Sequence, residues 1–110
     1  MVGDAGYMKD PITAQGISDA FRDAESLARA VHEGLSGQKP MESSLKEYAE
    51  GRDEAALPFY RWTLGMARLN ELTEPERQMM EAITGNQTFA DRYCGVMAET
   101  VTPEEMFAPA

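Results

Sequence analysis

Little in this sequence suits covalent or metal chemistry. It has one cysteine and one histidine in 110 residues. The lone Cys94 excludes an internal disulfide and fits a reducing compartment. With no ligand partners near it, Cys94 reads as a small, half-buried apolar residue on a helix. His32 falls in the last turn of a helix, where a cation near the C-terminal dipole is mildly favourable, and it has no cluster partner for catalysis. No Ser/His/Asp or Cys/His set can be assembled, so no catalytic residue and no metal ligand is assigned. Basic residues are also scarce: 10 Lys and Arg stand against 19 Asp and Glu, for a net charge of -9. Nucleic acid or an anionic membrane would need a basic face, so neither is expected as a partner. No apolar run reaches the length of a membrane span, and the opening does not read as a signal peptide. A cytoplasmic location is the expectation. Strand-like alternation is nearly missing too; Val2 alone could end one.

What the chain does have is helical periodicity. Ile17, Ala20, Phe21, Ala24, Leu27, Ala28 and Val31 recur at three- and four-residue steps. They predict an apolar stripe turned to the core, with Ser18, Asp19, Arg22, Asp23, Glu25, Ser26 and Arg29 on the opposite, solvated face. Gly34 and Gly37 stop this helix. Pro40 suits the first turn of a second. Its stripe runs Met41, Leu45, Tyr48, Ala49, Arg52, Ala56, Phe59, Tyr60, Thr63, Met66 and Ala67. Pro58 lies inside the pattern and predicts a kink or short break near Glu54 to Leu57. The aromatics Phe59, Tyr60 and Trp62, with Met66, read as core, and Glu47, Glu50, Asp53 and Glu54 as a solvated face.

Thr73-Glu74-Pro75-Glu76 is a capping box that starts a third helix, with Met79, Met80 and Ile83 inward. Gly85-Asn86 ends it. Asn86 or Thr88 caps a fourth, which carries Phe89, Tyr93, Val96 and Met97. Thr102-Pro103-Glu104-Glu105 repeats the capping logic for a brief last turn, and Pro109 closes the chain.

The stretch "GDAGYMKDPITAQGISDA" at positions 3 to 20 is of another kind. A carboxylate at Asp4, next to Gly3, can accept hydrogen bonds from a ligand's hydroxyls while the glycine lets the ligand approach; it can equally cap local backbone. Pro11 fixes the chain's direction before the helix. Gln15-Gly16-Ile17-Ser18 then forms the first turn, whose amide hydrogens lack helical partners and sit at the positive end of the dipole. That is a seat for an electron-rich oxygen. Tyr7 and Lys9 could touch a ligand, and loop exposure explains both as well.

Taken whole, this segment resembles the flavin-contacting part of FAD-dependent monooxygenases of the p-hydroxybenzoate hydroxylase type. That family carries Gly-Asp at a strand end, a loop with Pro, and an Ala-x-Gly-hydrophobic-Asn start to a long helix. Gly3, Asp4, Pro11, Ala14, Gly16 and Ile17 fall in that pattern without a gap. Ser18 stands where the family has Asn, and Met8 where a polar residue is more usual. "RDEAALPFYRWT" and "GNQTFADRYCGV" are similar in general character to the helical tail of such chains.

The resemblance implies a cofactor site of Gly3, Asp4, Pro11, Gly16, Ile17 and Ser18. Asp4 would accept from the ribityl chain of FAD, and Pro11 would line the isoalloxazine side. The Ile17 and Ser18 amides would face the N1–O2 edge of the ring. It also implies a fold class: mainly α, the helical C-terminal segment of an α/β, Rossmann-like FAD-binding flavoprotein. The sheet and the G-x-G-x-x-G motif are missing from this chain.

Residues 1–37 would be the flavin-contacting loop and long helix, and 38–110 a C-terminal helical region. The full enzyme would use NAD(P)H and O2 on a small organic substrate, held with FAD by an N-terminal portion outside this chain. The alternative is a non-catalytic helical interaction module that can form a homodimer, in which exposed Met and aromatic residues pair between copies.

Overall fold

Local signals fix most of the helix ends. In the computed structural model, which describes residues 1–106 and 108, five α-helices follow two short 3-10 turns, Gly3–Ala5 and Pro11–Thr13. They are α1 Gly16–Leu35, α2 Met41–Ala67, α3 Glu74–Gly85, α4 Gln87–Met97 and α5 Pro103–Met106. The chain is mainly α, and no strand occurs among the described residues. Pro109 lies outside them. No helix of the described residues is long and apolar enough to cross a membrane.

The capping signals act as their chemistry requires. The Thr73 amide donates to Glu76 Oε2 at 2.6 Å, closing the box that starts α3. Asn86 Oδ1 accepts from the amides of Thr88 at 2.9 Å and Phe89 at 3.4 Å, so Asn86 is the cap of α4. Thr102 and Glu105 exchange the same reciprocal pair of bonds at α5. Gly37 takes a left-handed φ of 74° after α1, the conformation that glycine adopts most cheaply. Gly34, expected as a stop, stays inside α1, where it meets Met41 at the start of α2. Pro40 caps α2 from just outside it.

Pro58 does not interrupt α2, which runs unbroken through the expected break at Glu54 to Leu57. Proline removes one amide donor from the ladder, and the packed face that follows it holds the helix together. Ala56, Phe59 and Thr63 on that face are buried. Phe59, Val96 and Met106 form the central cluster, with Trp62, Ile83, Tyr93 and Val101 against it. Trp62 and Tyr93 meet edge-on, with centroids 6.2 Å apart. The α2 stripe is inward except at Leu45, which is exposed, and Glu47, Glu50, Asp53 and Glu54 face solvent. Cys94, expected half-buried, is exposed; it lies on the side of α4 away from buried Gly95 and Val96.

Helix α1 is turned the other way from its sequence pattern. Ile17 is 76% and Phe21 74% exposed, whereas Asp19 and Asp23 are only 4% and 2% exposed. Ala24, Ala28 and Leu35 are exposed on the same stripe as Ile17 and Phe21, and Ala30 is buried on the side of the aspartates. At 3.6 residues per turn the two stripes point about 140° apart. The apolar face looks outward because partners for the aspartates lie inward, as described below. The molecule is correspondingly thin, 54 × 29 × 18 Å, with a radius of gyration of 17.2 Å. A compact chain of this length would have about 13 Å.

Buried Gly95 marks the tightest passage in the core. A Cβ there would fall 2.6 Å from Val101 Cγ2. Gly95→Ala is expected to destabilise by ~1–3 kcal/mol, read as a lower urea midpoint. In a double-mutant cycle with Val101→Ala the two costs should add to less than their sum.

Candidate functional site

The opening fifteen residues are pinned from both ends. Val2 is extended, with φ -139° and ψ 160°, but leads into a 3-10 turn rather than ending a strand. Gly3 has φ 59°, and its carbonyl accepts from Gly6 N at 2.8 Å and Tyr7 N at 3.0 Å. Asp10 Oδ1 accepts from the Ile12 amide at 3.0 Å, and the Pro11 turn then closes on Ala14 at φ 56°. Buried Thr13 meets Thr63 of α2, hydroxyl to hydroxyl at 3.3 Å. Gln15, 2% exposed, donates from Nε2 to the carbonyls of Val96 at 3.0 Å and Met97 at 3.2 Å. The chain before α1 is thus stitched to α2 and to the end of α4.

Gly3, Asp4 and Gly16 come together on one cavity of about 30 Å³, with Tyr7, Met8, Lys9, Asp19, Ala20 and Asp23. Pro11, Ile17 and Ser18 do not line it; all three are exposed. Asp4 is exposed and has no hydrogen-bond or ion-pair partner among the described residues. The first backbone bond of α1 runs from Asp19 N to Gln15 O at 3.0 Å. The amides of Gly16, Ile17 and Ser18 therefore keep the free hydrogens of a helix start. No side-chain atom lies where a Cβ on Gly3 or Gly16 would stand. A cavity of this size holds a water or two. A ring-sized ligand would lie across its mouth, between the free carboxylate and the free amides.

Beneath the mouth lies a buried charge cluster. Lys9, for which ligand contact and loop exposure are equal expectations, is 2% exposed at its side chain and lines the cavity. Its Nζ stands 2.9 Å from Asp19 Oδ2, donates to Gln15 Oε1 at 2.9 Å, and reaches Glu99 Oε1 at 3.4 Å. The Asp19 contact is a close ion pair without hydrogen-bond alignment, which leaves Oδ2 without a donor. Arg22 NH1 lies 2.9 Å from Asp19 Oδ1 and 3.3 Å from Glu99 Oε2, and its NH2 lies 3.1 Å from Asp23 Oδ1. Two cations thus serve three carboxylates from the opening segment, α1 and the turn after α4.

Burial, and then the Asp19 charge, push the Glu99 carboxyl above its ordinary range. The same two causes push the Tyr7 phenol up to about 12. Tyr7 packs 6.1 Å from Tyr60, and its buried hydroxyl has no partner. The spacing of Asp19, Arg22 and Asp23 is a visible helical ion-pair signal. Nothing local in the sequence indicates that Gln15 and Glu99 belong with them.

Among the described residues no three His, Cys, Asp or Glu side chains gather as a metal-ligand set. His32 is exposed at the far end of α1. No family model, no curated protein and no solved structure matches this chain.

Two outcomes follow from the cluster. Lys9→Met removes one of the two cations that touch both Asp19 and Glu99, leaving buried carboxylates short of a partner. A loss of about 3–5 kcal/mol in urea unfolding is expected. Tyr7 has a raised folded-state pKa, so its neutral form contributes stability that is intact below pH 10 and lost as pH rises towards 12. Tyr7→Phe should be more stable than the parent at pH 8, because an unpaired buried hydroxyl is gone. It should also lose this part of the alkaline destabilisation when unfolding is compared at pH 9 and pH 11.

Proposed function

We propose that this chain supplies the ribityl- and isoalloxazine-contacting segment of an FAD-dependent oxidoreductase, of the monooxygenase type that uses NAD(P)H and O2 on an organic substrate. One observation carries this reading. An unpaired carboxylate at Asp4 lines one cavity together with Gly3 and Gly16, and Gly16 opens a helix start whose first three amides, those of Gly16, Ile17 and Ser18, lack helical partners. The resemblance of positions 3 to 17 to the flavin-contacting pattern supports it from the sequence side.

The residues fit the cofactor's chemistry. Bound flavin would supply the electron transfer and the reaction with oxygen. Asp4 accepts hydrogen bonds from hydroxyls and repels phosphate, which suits a polyol arm rather than the diphosphate. The α1 amides donate to carbonyl oxygens at the pyrimidine edge of the ring. The helix dipole there favours negative charge on that edge by roughly 0.3–1 kcal/mol, more where water is excluded, and so favours the reduced state. Gly3 and Gly16 let the ligand approach the main chain. Pro11, Ile17 and Ser18 lie outside the cavity's lining; in this reading Pro11 sets the path of the chain into α1, and Ile17 and Ser18 offer only their main-chain amides. No residue of this chain is assigned as acid or base.

The reading is tested by titrating the ¹⁵N-labelled chain with FAD to millimolar concentration, with AMP as control. The amide resonances of Gly16, Ile17 and Ser18 should move with FAD and not with AMP. Asp4→Ala should weaken the response about tenfold, as loss of a charge-assisted hydrogen bond implies. Unmoved resonances at 16–18, or an Asp4→Ala chain that responds like the parent, would overturn it.

A further inference from the structure

The outward stripe of α1 is an unpartnered apolar face, and its own pattern says what covers it. Ile17, Phe21, Ala24, Ala28 and Leu35 are all exposed along one line of the helix, with Val31 half-buried between the last two. No charge interrupts that line. The chain exposes 7686 Å², against about 6,100 Å² for a compact monomer of 12.2 kDa. The excess is well above the roughly 800 Å² that each partner buries in a standard interface.

We infer that the face is covered by a second copy of this chain, through antiparallel pairing of two α1 helices about a two-fold axis beside Leu27. That register is self-complementary in shape. It sets Phe21 level with the gap between the partner's Val31 and the partner's Leu35. Leu35 in turn falls between the partner's Ile17 and the partner's Phe21. Ala24 and Ala28 lie near the axis, where small side chains let the helices approach closely. A shallow groove of about 560 Å³ runs beside the stripe, lined mostly by polar residues: Glu25, Ala28, Arg29, His32, Glu33 and Gln38.

The register is complementary in charge as well. Glu25 and Arg29 are exposed on the flank and pair with each other within one helix. The two-fold axis brings Glu25 level with the partner's Arg29, and Arg29 level with the partner's Glu25, which makes a closed ring of four alternating charges. A shift by one turn either way, about 3.6 residues, would separate those pairs and set Phe21 against Ala28 or beyond the stripe. This pairing does not rest on the flavin reading, since it uses the face of α1 turned away from the cluster.

Sedimentation equilibrium of the intact chain should show a dimer at micromolar concentration. Phe21→Glu should weaken association on the order of 100-fold by placing a charge in the apolar seam, with far-UV circular dichroism unchanged. In a Cys94→Ser background, Ala28→Cys should cross-link between copies under mild oxidation, because the axis passes beside it. Ser26→Cys, at nearly the same height on the opposite side of the helix, should not. A chain that stays monomeric at several hundred micromolar, or equal cross-linking at both positions, would overturn the proposal and leave the stripe to a different partner.

Discussion

The structure depends on how the carboxylates of Asp19 and Asp23 are kept out of water. Burying an unpaired carboxylate is costly enough that the fold must bring cations to it. Lys9 comes from the opening segment and Arg22 from α1 itself. Glu99 then shares both cations from the turn after α4, where it has a left-handed φ of 57°. Three distant stretches of chain are held in one register by this arrangement, and the free end of α1 is held with them. The candidate ligand-binding mouth, Asp4 on one side and the bare amides on the other, is the upper rim of that same cluster.

The cluster also explains why the strongest periodic pattern predicts the right element and the wrong face. The apolar stripe from Ile17 to Val31 is as clear a helical signal as the chain contains, and α1 forms where it says. Periodicity reports which side of a helix is apolar. It cannot report that the polar side has been claimed by charges from elsewhere. Gln15 and Glu99 are more than eighty residues apart and converge on one another's surroundings, so no window of sequence holds both. Capping is the opposite case. Thr73 with Glu76, Asn86 with Thr88, and Thr102 with Glu105 interact within a few positions; the first and last are legible outright, and the cap of α4 as a choice between Thr88 and Asn86. Pro58 misled because a lost amide bond is a local cost, while the burial of Phe59 and Thr63 that offsets it is tertiary.

Of the candidate site, the positions of Gly3, Asp4 and Gly16 around one cavity follow from short-range chemistry: a left-handed glycine, an Asp10-capped turn, and a helix that begins at a glycine. The roles of Lys9 and Tyr7 did not follow, because exposure of a loop residue is decided by what the loop lies on. An electron-accepting ligand at this mouth would rest above fixed negative charge with a positive helix end at its edge. The two fields would act on different parts of such a ligand, the carboxylate on hydroxyl groups and the helix end on carbonyl oxygens.

The reach of Gln15 and Lys9 to Val96, Met97 and Glu99 has a consequence for biogenesis. During synthesis α1 and its local aspartate–arginine pairs emerge long before the end of α4 does. Until that last stretch leaves the ribosome, Lys9 lacks one of its two acidic neighbours and Gln15 has no carbonyls to grip. Without those partners, the polar side of α1 lacks part of what holds it inward. The contacts that hold the polar side of α1 inward thus come in part from residues 96 to 99, far along the chain from the helix they orient.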